Sequence, residues 1–204
     1  MTLQAVAAAV KPHGLMVMGH SGHRILIGTD AGWWHVFKQS PEYLNKVQDP
    51  VDTWSKRIMG GIATELGAKA HYPSDGPPYA PFIAWALETG RFWQSPTGMM
   101  IHEKAGLMIS LRCALEFIEE FQSVPAGTNP CDTCNTKPCI SACPVDALSD
   151  AHFYDVPACK AYLDTPSGTN CMTSGCLARR ACPVSQSFAR PEAQSAFHMR
   201  AFVG

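Results

Sequence analysis

The sequence predicts an α+β chain in two domains, divided as residues 1–123 and 124–204. Three observations carry this. In the first part apolar residues recur at spacing two in some stretches and spacing four in others, the periods of half-buried strands and of helices. All five tryptophans lie in that part. Beyond it, eight of the nine cysteines fall between Cys131 and Cys182, among Pro, Gly, Asn and Thr residues.

A length of 204 residues suits one large domain or two small ones. The chain is 46% hydrophobic and only 16% charged, low in charge but within the globular range. A net charge of −1 offers no electrostatic footprint for nucleic acid or an anionic membrane. No apolar run approaches the ~18 residues of a membrane span. The N-terminal MTLQAVAAAVKPHG has no basic residue ahead of its apolar part, so it reads as an opening helix and not as an export signal. A cysteine-rich chain without such a signal belongs where thiols stay reduced, and the expected location is the cytoplasm.

Residues 2–10 are helix formers, stopped by Lys11-Pro12 and Gly14. GLMVM (14–18) and RILI (24–27) read as short buried strands around GHSGH. His20 and His23 have the H-x2-H spacing of a metal-ligand pair. No third ligand stands nearby, and a turn with polar caps accounts for them better. The glycines form neither G-x-G-x-x-G nor a Walker loop, so no dinucleotide or P-loop site is expected.

Ala31 to Ser40 reads as a short aromatic helix. Asp49-Pro50 begins the next, with the aspartate as N-cap and proline at the first position. Trp54, Ile58, Ile62 and Leu66 follow at spacing four as one buried stripe, while Lys56 and Arg57 face water. Gly60-Gly61 costs about 1 kcal/mol per glycine relative to alanine, which a close neighbouring backbone would explain. A strand over Ala68 to Tyr72, the loop PSDGPP (73–78) and a helix from Tyr79 to Glu88, ended at Gly90, follow in turn.

After the loop RFWQSPT (91–97) the pattern predicts a hairpin, GMMIHE and GLMISLRC around Lys104-Ala105, with Gly106 easing the turn. Leu107, Ile109 and Leu111 alternate with Met108, Ser110 and Arg112, which buries one face. Cys113, the ninth cysteine, reads as a small core residue. SVPAGTNP (123–130) is the domain boundary.

The cysteine run is C-x2-C-x4-C-x3-C-P from Cys131 to Pro144, then Cys159 alone, then Cys171-x4-Cys176-x5-Cys182-Pro. Thiolate sets ending in Cys-Pro hold [4Fe–4S] clusters in bacterial ferredoxin segments. Three closely spaced cysteines grip one cluster and the Cys-Pro cysteine crosses to the other. Applied here, the rule assigns Cys131, Cys134, Cys139 and Cys182 to one cluster and Cys143, Cys159, Cys171 and Cys176 to the other, with none left over. Four-cysteine zinc sites usually come as paired C-x2-C knuckles, and only Cys131–Cys134 has that spacing. Disulfides would need an oxidising compartment. Two [4Fe–4S] clusters are the expected cofactors.

With the hairpin and the cysteine run both in view, the chain resembles the superfamily of epoxyqueuosine reductases and corrinoid reductive dehalogenases. The matching features are the C-x2-C…C-x3-C-P block, the lone cysteine in Ala158-Cys159-Lys160-Ala161-Tyr162-Leu163, and two more cysteines before a closing Cys-Pro. Residues 50 to 113 resemble the family's corrin domain more loosely. Asp75-Gly76-Pro77-Pro78 stands where the family has an Asp-x-x-Pro loop, and Gly98 to Arg112 resembles the strand pair that follows. The resemblance implies a shortened nitroreductase-like α/β domain, cobalamin-domain-like, followed by a bacterial dicluster ferredoxin-like domain. It implies cobalamin, less readily FMN, as a further cofactor, and Asp75 as a proton donor at the cobalt face. Asp75 reads equally as a turn residue capping the next helix. The first half is shorter than the family's corrin domain, no helical repeats like those of the tRNA-modifying members follow the cysteines, and the charge is wrong for tRNA. A complete epoxyqueuosine reductase is therefore not expected.

Two functions follow. One is an electron-transfer protein passing single electrons to a redox protein partner, with no nucleic acid or membrane partner and with Arg179 and Arg180 as tuning or docking charges or, equally, as solvated surface residues. The other is a small reductase whose clusters feed a corrinoid or flavin lined by Tyr79, Trp85, Trp93 and residues 94–98, although five aromatics in such a domain more often make a core.

Overall fold

The computed structural model describes residues 1–149 and 154–204 as a mixed α and β chain. In order, the elements are α1 (Leu3–Val10), β1 (Leu15–Ser21), β2 (Arg24–Thr29), α2 (Trp33–Phe37), α3 (Pro41–Leu44), α4 (Pro50–Leu66), β3 (Lys69–His71) and α5 (Phe82–Glu88). There follow β4 (Phe92–Gln94), β5 (Met100–His102), β6 (Leu111–Glu116), α6 (Val156–Leu163), α7 (Thr169–Ser174), α8 (Leu177–Ala181), α9 (Pro183–Phe188) and α10 (Glu192–Val203). No helix among the described residues is long and apolar enough to cross a membrane.

Two compact units are formed, and no single cut separates them. Met1–Arg91 and Ser110–Gly127 make the first; Phe92–Ile109 and Thr128–Gly204 make the second. A boundary placed at 123/124 keeps residues 92–109 with the first domain, because composition changes near residue 123 whereas the chain's path leaves and returns earlier.

The first unit is built on an antiparallel sheet of order β1-β2-β6-β3. The inner strands bury consecutive residues, Ile25 to Ile27 on β2 and Cys113 to Leu115 on β6. Burial without alternation means that both faces of those strands are covered. Helix α1 packs on β1, and α4 packs on β3 and β6. Ahead of α4, Trp33 stacks on Phe37 at 4.5 Å and 12°, and Trp54 meets both rings edge-on. Pairs of this kind contribute about 0.5–1.5 kcal/mol beyond burial.

Helix α4 departs from its expected details. Its buried residues are Trp54, Ser55, Met59, Ile62 and Ala63, while Ile58 and Leu66 are only half-buried. The buried positions are instead one, three and four residues apart, the pattern of a single face on a helix of 3.6 residues per turn, which a strict spacing of four does not follow. Asp49 adopts a left-handed conformation, φ 46°, and its side chain caps nothing. No backbone presses on Gly60 or Gly61. The nearest group to Gly60 is the Tyr72 hydroxyl at ordinary contact distance, and Gly61 faces open space.

The predicted hairpin is replaced by another. Strand β5 pairs with β4, Trp93 opposite Ile101, while β6 pairs with β2 and β3 in the sheet of the first unit. The turn at 103–106 closes through a single bridge between His102 and Gly106. His102 Nδ1 accepts the Lys104 and Ala105 N–H groups there and uses up the donors. Leu107 and Met108 are then both buried, so the expected alternation is absent. The rest of the second unit is irregular from Thr128 to Ser149 and helical from α6 onward, with α10 packed along α7.

Candidate metal centre

Each cysteine is placed by local backbone chemistry. Asn129 Oδ1 accepts the Cys131 N–H at 3.0 Å and folds the entry of the run. Cys159 sits in the first turn of α6, whose N-cap Asp155 accepts the Ala158 N–H at 2.9 Å. Cys171 lies within α7, and Cys176 and Cys182 stand at the two ends of α8. The residue before a proline is kept out of the helical region. Cys182 accordingly ends α8 in an extended conformation, and Pro183 starts α9 at its first position, where a missing N–H costs nothing.

Four thiols line one cavity of about 340 Å³ inside the second unit: Cys131, Cys134, Cys139 and Cys182. Ile101, Leu107 and Val184 complete its apolar side, and Thr133, Asn135 and Lys137 its polar side. Trp93 and Met99 pack behind the Ile101, Leu107, Cys139 and Cys182 cluster. Burial pushes the Cys131 and Cys139 thiols up, and the other thiols of the group push the same way. Lys137 opposes this at Cys131, and the backbone N–H groups of Cys139 and Ile140 oppose it at Cys139.

The other four cysteines act on one another. Burial raises the Cys159 thiol, a hydrogen bond with Tyr154 lowers it, and Cys176 and Cys143 raise it again. Burial raises Cys171 as well, with the Leu177 N–H and the Arg180 guanidinium lowering it against Cys176 and Cys159. The Ala147 N–H donates to Cys143 Sγ at 3.3 Å. Among the described residues no three His, Cys, Asp or Glu side chains close on one point as the ligands of a single ion would.

The remaining candidates lie elsewhere. Asp75 is half-exposed and bound to Lys56 Nζ at 2.7 Å. Tyr79 is exposed in the first unit, where Trp85 is held between Arg24, 4.6 Å from its ring, and the edge of His71. Trp93, by contrast, belongs to β4 beside the thiol cavity, so the structure does not bring Tyr79 and Trp93 together within one unit. His20 contacts the Gln122 carbonyl and His23 pairs with Glu120, so the two rings serve separate partners. Arg179 donates to the Leu107 carbonyl and Arg180 to the Gly175 carbonyl, so neither is simply solvated. Sequence reasoning missed Leu107 as a cavity wall, together with Tyr154 and Ser185. None of the three carries a local motif, although Ser185 follows the closing Cys-Pro by two residues.

No protein-family model matches the chain. The chain is similar to the epoxyqueuosine reductase of Cyclobacterium marinum, 23% identical over 124 residues. That is a distant likeness to a reductase. The match covers 55% of this chain and spans 39% of that protein's length.

Proposed function

We propose that the protein is an iron–sulfur electron carrier holding two [4Fe–4S] clusters, one on Cys131, Cys134, Cys139 and Cys182 and one on Cys143, Cys159, Cys171 and Cys176. The observation that carries this reading is the cavity lined by four thiols drawn from both ends of a 52-residue stretch. The donor set fits a cube. Four thiolates would each hold one iron of such a cluster, and its positive core would offset the repulsion that raises these thiols. A bound cluster stores and releases single electrons. The chain's part is to exclude water with Ile101, Leu107 and Val184 and to aim N–H dipoles at sulfur, as Ala147 does at Cys143. A redox protein is the proposed partner, and the first unit, nitroreductase-like by resemblance, is proposed as its docking platform.

The test is composition. Anaerobically purified protein carries about eight irons and eight acid-labile sulfides per chain. Zinc without labile sulfide overturns the reading.

The likeness to a reductase favours one second reading, in which the clusters feed a corrinoid or flavin on the first unit and Asp75 supplies a proton. The pairing of Asp75 with Lys56 speaks against a free acid there. Titrating cob(II)alamin into the cluster-loaded protein decides between them. A carrier leaves the free-cobalamin EPR spectrum unchanged; a shift to a base-off cobalt signal at stoichiometric ratio favours the reductase.

A further inference from the structure

Gln194 lies near the start of α10, is 0% exposed, and has no hydrogen-bond partner among the described residues at either Oε1 or Nε2. Buried polar groups nearly always have partners, and each unmade bond costs about 1–3 kcal/mol. Its setting points to what completes it. Helix α10 packs along α7, which carries Cys171. The adjacent Ser195 presses on Gly175, where an added Cβ would stand 2.6 Å from that of Ser195. Gly175, at φ +94°, is the residue before Cys176. The first turn of α10 is thus seated against the end of α7 and Gly175, between Cys171 and Cys176 of the second set.

We propose that the Gln194 side-chain amide hydrogen-bonds the cluster held by Cys143, Cys159, Cys171 and Cys176, with Nε2–H donating to sulfur, a role that rests on the two-cluster reading above. A cube offers acceptors only, so Oε1 is satisfied by an ordered water. Donation to sulfur stabilises the negative charge gained on reduction. Gln194 therefore raises the potential of this cluster and leaves the other unchanged.

The test uses the full cluster-loaded chain and Gln194→Met, which keeps the bulk and removes the donor. EPR-monitored redox titration is expected to show one midpoint falling. At fixed potential its reduced-to-oxidised ratio drops about tenfold, about 59 mV for a one-electron couple. The midpoint that moves belongs to the cluster that Cys171→Ser removes. In wild-type protein labelled with ¹⁵N-glutamine, the reduced cluster shows a ¹⁵N hyperfine coupling. That measurement decides the matter by itself if the variant does not fold. Eight irons and eight sulfides with both midpoints unchanged, or with no ¹⁵N coupling, overturns the role of Gln194 and leaves the two-cluster reading standing. Protein without iron or labile sulfide overturns both.

Discussion

The Leu107 N–H donates to Ser185 Oγ at 2.8 Å, across 78 positions of sequence. Leu107 forms one wall of the thiol cavity, and Ser185 stands three residues after Cys182. Gly106, at φ +56°, packs so closely that a Cβ there would lie 2.6 Å from the same Oγ and against the Ser185 backbone nitrogen. Arg179 fastens the Leu107 carbonyl and Arg190 the Met108 carbonyl. The apolar side of the cavity and the chain leaving its last thiol are therefore one locked piece.

Removing that lock is expected to loosen the site. Ser185→Ala leaves the buried Leu107 N–H unpaired and costs about 1–3 kcal/mol. Gly106→Ala costs more, because it adds a left-handed conformation and a backbone clash. Urea unfolding under anaerobic conditions reads the stability. For the proposed cluster, loss of visible charge-transfer absorbance after exposure to air would read release, expected to be faster in both variants than in wild type. Unchanged release in Gly106→Ala would show that the turn does not form the wall.

If the protein holds the two proposed clusters, Cys182→Ser is expected to lower the iron content from about eight to about four per chain. The surviving cluster is the one that Cys171→Ser removes. If Cys182→Ser and Cys171→Ser strip the same cluster, the pairing of Cys182 with Cys131, Cys134 and Cys139 is wrong.

Helices α3 and α4 are joined by Arg57, which binds both oxygens of Glu42, Nη2 to Oε2 at 2.9 Å. The hydrogen bond from Arg57 is the main reason the buried Glu42 carboxyl falls from 4.5 to about 2. A depressed carboxylate contributes stability above its unfolded value and loses it as pH falls through the folded one. Glu42→Gln should thus cost about 1–2 kcal/mol at neutral pH, discounted because Arg57 is half-exposed. The gap to wild type narrows as pH drops from 4.5 toward 2. Urea midpoints followed by tryptophan fluorescence, with Trp33 and Trp54 nearby, check this. A gap that stays constant through that range would contradict the assignment of the shift to this pair.

Cys113 is fully buried on β6, and burial pushes its thiol up to about 12. Alkylation proceeds through the thiolate. Native, cluster-loaded protein treated with iodoacetamide at neutral pH should leave Cys113 unlabelled by mass spectrometry until urea unfolds it. Rapid labelling without denaturant would mean that β6 opens.

Much of the chain was legible in local pattern. Strands β1 and β2 show as apolar runs either side of a glycine-containing turn, and α5 ends ahead of Gly90 as its sequence predicts. The cysteine spacing by itself singled out eight candidate ligands and set Cys113 apart, because ligand spacing and Cys-Pro turns are short-range properties of the backbone. That a strict spacing of four does not follow one face of α4 was calculable from helix geometry, but which neighbours that face would meet was not.

Only the tertiary structure decided which strand β5 would take as partner. Sequence pattern favours the nearest apolar run as a hairpin partner, yet residues 111–116 find better burial between β2 and β3, where Cys113, Ala114 and Leu115 are covered on both faces. Leu107 is left to wall the thiol cavity. The partners of Asp75 and Trp85, and the enclosure of Gln194 without a partner among the described residues, are likewise outcomes of long-range packing. Spacing encodes which residues are able to act together. Which surfaces meet depends on burying area from segments far apart in the chain, and local sequence does not carry that information.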